Sequence, residues 1–393
     1  MESANFINFA EIKSESMIKR QLKPAVEALV GSGKAIIIMG ARQVGKSTML
    51  HEMFSDRDDA LWLNGDDPDV RELFNNMTSD RMRLFLANKK LLIVDEAQRI
   101  ADIGLKLKLV TDQIPGVQVI ATGSSSFQLA SKVNESLTGR KREFQMFPLS
   151  FKEMARHTNP LTETRLIPHR MVYGYYPEVV TSPGEEREVL RELSSSYLYK
   201  DILQLDGLSK PDRLVALLQA LARQIGDQIS YREIGMLVGL DPKTVERYID
   251  LLEKSFVVFR LGSYARNLRN ELKASKKIYF YDLGIRNAVI ADFREVENRD
   301  DVGALWENFV VSERLKQISY DRSFVNLWFW RTQQQKEIDL IEEADGMLTA
   351  VECKWNPGKA NVKAPKMFTE TYRPATFKVV TPANAAEYLL GPL

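Results

Sequence analysis

Residues 35–50 read AIIIMGARQVGKSTML, and no other stretch limits the fold as tightly. Residues 35–40 are a short apolar run of the kind that fills a parallel strand buried on both faces. Residues 40–47 then satisfy G-x-x-x-x-G-K-[ST] at every fixed position, and STMLHEMF can begin a helix. A glycine-rich loop between a buried strand and a helix turns backbone N–H groups toward phosphate oxygens, and the helix N-terminus adds partial positive charge. Gly40, Ala41, Arg42, Gln43, Val44, Gly45, Lys46, Ser47 and Thr48 are therefore expected to cradle a nucleoside triphosphate. Lys46 would reach the β- and γ-phosphates, and Ser47 would ligate magnesium. A second glycine cluster, GSGK at residues 31–34, precedes the strand and reads as a turn.

A hydrolytic site needs a second motif, and KKLLIVDEAQRI supplies it at residues 89–100. Four apolar residues end in Asp95 and Glu96. This order sets Asp95 near the metal and Glu96 near the attacking water, as general base. A third run, VQVIATGSSS, offers Thr122 and Ser124 as sensors of the γ-phosphate, with a plain strand-to-helix cap as the alternative. Arg140, in LTGRKREF, is a candidate to stabilise transition-state charge, in its own chain or in a neighbouring subunit of a homo-oligomer; a solvated basic loop is the alternative. Strands near residues 35, 61, 91, 117 and 144, with helical stretches between them, predict a parallel sheet covered on both faces.

Taken together, GARQVGKSTML, LLIVDEAQR, VIATGSSSF, LTGRKREFQMFPLSFKE, YGYYPEVV and LYKDI resemble the prokaryotic AAA-type ATPases that end in domain of unknown function 4143. The resemblance covers nearly the whole chain and implies ATP binding and hydrolysis. Tyr175-Tyr176 departs from the glycine-containing pair that the family pattern leads one to expect before Pro177.

Residues 150–205 read as mostly helical, a lid or connector. Farther on, Ser230 can cap a first helix, Gly239 can end it, and Asp241-Pro242 can start a second on which Val245, Tyr248, Ile249 and Leu252 recur at helical spacing. Two short helices about a glycine turn form a helix-turn-helix, and FVVFRL with KKIYFYDL would add a wing. Lys243, Thr244 and Arg247 are the expected exposed positions of the second helix. Arg266, Arg269, Lys273, Lys276 and Lys277 belong to a basic run that suits a polyanion, so DNA is the expected partner. A protein partner is the alternative, because winged helices also serve as protein-binding modules.

The last hundred residues carry Glu307 on an amphipathic helix, Asp339 on one strand, and Glu352 with Lys354 on the next. Asp, a gap and Glu-x-Lys, with a further Glu on a preceding helix, resemble the restriction-endonuclease-like core. There Asp339 and Glu352 would hold magnesium, Lys354 would orient water, and Glu307 would add or position a ligand. The same residues can instead hold the sheet together as a buried ion pair, or bind DNA without cutting it.

The expected architecture is thus α/β: a P-loop domain (1–160), a helical connector (161–205), a winged helix (206–290) and a nuclease-like domain (291–393). ATP and Mg2+ are the expected ligands. The chain has 54 Lys plus Arg and 53 Asp plus Glu, so only local clustering of charge bears on partners. One cysteine, Cys353, excludes an internal disulfide and suits a reducing cytoplasm; three histidines lack metal-ligand spacing. No apolar run is long enough for a membrane span, and the first residues lack a signal-peptide core.

Overall fold

The strands expected near residues 35, 61, 91, 117 and 144 form as β1 (Ala35–Met39), β2 (Ala60–Asn64), β3 (Leu91–Asp95), β4 (Gln118–Gly123) and β5 (Lys141–Gln145) in the computed structural model of the chain. It describes residues 17–124, 137–198, 210–265, 276–374 and 376–391. Two compact units divide the chain: residues 20–148 with 247–258, and residues 1–19, 149–246 and 259–393.

In the first unit the strand order is β2-β3-β4-β1-β5, and every pairing is parallel. The central strands are buried along all or all but the last residue of their length, which is why they read as apolar runs rather than alternations. Parallel pairing aligns their carboxyl ends: Met39 lies beside Gly123 and Gln145, and Asn64 beside Asp95. Gly31 and Gly33 both have positive φ, so GSGK is a turn as expected; the Gln118 side chain pins it, accepting from the Gly31 N–H at 2.9 Å.

In the second unit, short helices at Phe151–His157, Pro160–Arg165, Ile167–Tyr173, Pro177–Thr181 and Glu186–Glu192 fulfil the helical reading of the connector. Tyr175, the residue that departs from the family pattern, is buried among them. Its hydroxyl donates to Glu163 at 2.8 Å, and its N–H donates to Asp282 at 2.7 Å. Glu163 also accepts from Arg170 Nε at 2.9 Å, and both partners are buried.

The helix-turn-helix forms where it was expected, as α-helices Tyr231–Val238 and Pro242–Lys254. Gly239 ends the first helix in the left-handed region, and the Leu240 N–H returns to the Gly235 carbonyl at 2.8 Å. Asp241 caps the second helix by accepting from the Thr244 N–H and hydroxyl.

The two wing strands lie side by side as expected, but inside a larger sheet. β6 (Gln228–Ile229), β7 (Val258–Ser263), β8 (Lys276–Phe280), β9 (Asn326–Arg331), β10 (Glu337–Ala344), β11 (Met347–Cys353) and β12 (Thr376–Val380) form one sheet in the order β12-β11-β10-β9-β7-β8-β6. The sheet therefore runs straight across the boundary expected at residue 290, through the parallel pairing of β7 with β9. The helix expected over 306–317 spans Val302–Tyr320; it is buried on almost every side instead of amphipathic, because the sheet and the connector helices both cover it. Among the described residues, no helix is long and apolar enough to cross a membrane.

Removing one partner of a buried ion pair strands the other charge. Glu163→Ala should therefore cost about 3–5 kcal/mol in urea denaturation, and a combined Glu163→Leu, Arg170→Met variant markedly less.

Candidate functional site

The loop expected to bind phosphate lies between β1 and the helix Lys46–Phe54, at the carboxyl edge of the parallel sheet. Gln43 and Gly45 both take positive φ, which bends the chain around a concavity. Gly40 is required sterically, since a Cβ there would lie 2.1 Å from the Met146 carbonyl oxygen. Lys46 is 5% exposed and folds back over the loop, donating to the carbonyls of Gly40 at 2.9 Å and Ala41 at 2.7 Å. Val44 and Ala41 are buried, Arg42 and Gly45 half-buried, and Gln43 and Thr48 exposed.

Ser47 Oγ donates to Asp95 Oδ2 at 2.6 Å, so the two expected magnesium ligands already touch. Thr122 Oγ1 donates to the other Asp95 oxygen and accepts from the Glu96 N–H at 3.2 Å. Glu96 sits just past β3 with φ 47°, and Gln98 Nε2 donates both to its carboxylate at 2.5 Å and to Ser124 Oγ at 2.9 Å. Lys46, Ser47, Asp95, Glu96, Thr122 and Ser124 therefore all lie at one edge of one sheet. This donor set fits a magnesium–triphosphate: a hydroxyl and a carboxylate converge, with an ammonium and loop amides alongside.

Arg140 is the exception. Its carbonyl accepts from the Ala35 N–H, at the amino end of β1, and its guanidinium pairs with Asp112. Five strand residues, about 16 Å, separate that point from Gly40, so Arg140 does not reach the loop of its own chain. Two further residues support the site through contacts that no local pattern announces. Arg20, 7% exposed, donates to the carbonyls of Val44 and Phe147, behind the loop. Gln98 lies within the quoted DEAQR motif but received no role.

In the second unit the four nuclease-like residues also converge. Glu307 comes from the helix Val302–Tyr320, Asp339 from β10, and Glu352 with Lys354 from the end of β11. A register irregularity between Ile338 and Ile341 brackets Asp339 and breaks the usual in–out alternation. Asp339 accepts from the Cys353 N–H at 2.8 Å, and Lys354 pairs with Glu352 at 2.6 Å. Cys353 itself is buried and free.

Glu337 joins this cluster; single oxygens of Glu307, Glu337 and Asp339 lie within 4.8 Å of one another. So does Lys277, which corrects an expectation. The basic run suggested an exposed DNA contact, yet Lys277 is 1% exposed and bonds Glu307 at 2.7 Å and Glu337, with the Phe329 ring 5.5 Å from its ammonium. Lys276 is half-buried over the Tyr231 ring, and the Thr244 hydroxyl donates to the Asp241 cap of its own helix, whereas Lys243 and Arg247 are exposed. Arg266, Arg269 and Lys273 lie outside the described residues.

Burial and the charge of Asp339 push the Glu307 carboxyl up to about 7, against the opposing pull of Lys277. Burial and the charge of Glu352 push Asp339 up to about 6. Burial alone would lower Lys277, but the carboxylates of Glu307, Glu337 and Asp339 outweigh it and hold the ammonium charged.

The first unit has the fold and the site of a P-loop nucleotide-binding domain. Comparison with known proteins agrees: an AAA domain matches residues 32–155, a domain of unknown function (DUF8612) residues 164–296, and a domain of unknown function (DUF4143) residues 302–390. The chain thus combines an AAA domain with a C-terminal domain of unknown function 4143, the pairing that the sequence resemblance implied. An uncharacterized protein of Mycobacterium tuberculosis is 25% identical over 323 residues, covering 81% of this chain and 70% of that protein. An uncharacterized protein of Haemophilus influenzae is 25% identical over 282 residues, covering 65% and 68%. A solved Walker-type ATPase of Pyrococcus abyssi aligns over 71% of this chain and 97% of its own, with 15% identity and a TM-score of 0.49.

A carboxyl whose folded-state value lies above its unfolded value loses stability as pH rises through that window. From about pH 5 to about pH 8 the wild-type chain should therefore lose thermal stability relative to Glu307→Gln, as followed by calorimetry.

Proposed function

We propose that this chain hydrolyses ATP and that the reaction is coupled to DNA held by its helix-turn-helix. The contact of Ser47 with Asp95 at 2.6 Å carries the first part, because it brings a loop hydroxyl and a strand-end carboxylate to one point beside Lys46. Ser47 and Asp95 would hold Mg2+, which when bound neutralises phosphate charge. Lys46 would exchange its two loop carbonyls for phosphate oxygens. Glu96, its carboxylate held by Gln98, would accept the proton of the attacking water. Thr122 and Ser124, each bonded to one of the two acids or its partner, would register the γ-phosphate from β4. For Arg140 the remaining role is across a subunit boundary in a homo-oligomer, since it is about 16 Å of strand from its own loop. The single buried thiol, Cys353, suits a reducing, cytoplasmic setting.

Support for DNA comes from the exposed Lys243 and Arg247, one turn apart on a well-capped second helix. ATP turnover with and without duplex DNA tests both halves. Lys46→Ala should lower kcat about 10²–10³-fold. Glu96→Gln should lower it about 10²–10⁴-fold while nucleotide binding persists. Full turnover in Lys46→Ala would refute the assignment of the site.

DNA should raise turnover, and salt should weaken the effect steeply. Replacing Lys243 and Arg247 by Ala should reduce the slope of log K against log salt by about one each. Turnover indifferent to DNA would favour a protein partner for the second unit.

A further inference from the structure

The carboxylate cluster of the second unit has the residues of a metal-dependent nuclease, but it also has a cation of its own. Lys277 enters from β8, the strand antiparallel to β6, and its ammonium rests between Glu307 and Glu337. It is 1% exposed, with the Phe329 ring at 5.5 Å closing another side. Other donors crowd the same carboxylates. Tyr279 donates to Glu307 at 2.5 Å, the Cys353 N–H to Asp339 at 2.8 Å, Lys354 to Glu352 at 2.6 Å, and Arg331 approaches Glu337 at 3.4 Å.

Mg2+ demands near-octahedral oxygen ligands at about 2.0–2.1 Å and keeps several waters. A divalent ion on Glu307, Glu337 and Asp339 would sit against the Lys277 ammonium that already bonds two of these carboxylates, in a place with little water to screen the repulsion. The pocket therefore does not fit a divalent metal while Lys277 is in it.

We propose that Lys277 stands in for the divalent cation, so that this nuclease-like fold holds its carboxylates together without metal and does not cleave phosphodiesters. The cluster then serves as a joint. One ammonium fastens β8, beside the helix-turn-helix, to the helix Val302–Tyr320 and to β10. This assignment is independent of the ATPase reading, because every residue in it belongs to the second unit.

The test is Mn2+ binding to the nucleotide-free full-length chain, followed by electron paramagnetic resonance, with Asp339→Asn marking the pocket. With Lys277 present, no Mn2+ binding sensitive to Asp339→Asn is expected, and plasmid incubated with Mn2+ should remain uncut. Lys277→Met, checked for native circular dichroism, should gain a site at least tenfold tighter that Asp339→Asn removes. Lys277→Gln, which keeps a polar group in place, is the second variant should the methionine disturb folding. Mn2+ binding or cleavage by the Lys277-containing chain that disappears in Asp339→Asn overturns the proposal. So does a folded Lys277 variant that gains no site.

Discussion

The bond from Ser47 to Asp95 joins the start of a helix to the end of a strand two places away in the sheet, and the nucleotide site depends on it. It requires parallel strands, because only parallel pairing brings the ends of β1, β3 and β4 to one edge. It requires Gly40, where any Cβ would collide with the Met146 carbonyl 2.1 Å away. It also requires Thr122, which takes up the second Asp95 oxygen and so fixes how the carboxylate faces Ser47. The apolar strands are thus less a container for the site than the means of aligning it.

Electrostatics differ between the two units. At the loop, the Lys46 ammonium donates to the carbonyls of Gly40 and Ala41, neutral groups that phosphate oxygens can outcompete. In the second unit, Lys277 is held by carboxylates that themselves resist ionisation when buried, Glu307 above all. An ammonium on carbonyls is poised for exchange; an ammonium locked among acids is part of the framework.

Features encoded by contiguous residues were legible in the sequence. The loop, the Asp95-Glu96 pair, the helix-turn-helix with its Gly239 stop and Asp241 cap, and the Glu352-x-Lys354 pair each declare themselves within ten or so positions. What escaped depends on tertiary neighbours. Arg20 and Gln98 act through contacts that no local pattern announces. Lys277 was misjudged because a run of basic residues looks solvated until its partners are known, and those partners, Glu307 and Glu337, lie 30 and 60 positions away. The sheet edge at which Arg140 lies was not legible, because a charged turn before a strand can fall at either edge and only pairing register says which. The wing strands pair with each other as their sequence suggests, but nothing in FVVFRL shows that β9 will take its other edge.

That pairing of β7 with β9 has a consequence during synthesis. Gly262 must await Trp328 before the edge of β7 is covered on that side. At ribosomal rates of about 5–20 residues per second the delay is on the order of 3–13 s. Throughout it the nascent chain presents an apolar ribbon with unmet amides, the kind of surface that chaperones recognise and that invites self-association. Production of this protein should therefore depend on holdase capacity and on translation speed more than the folded state's stability alone would suggest.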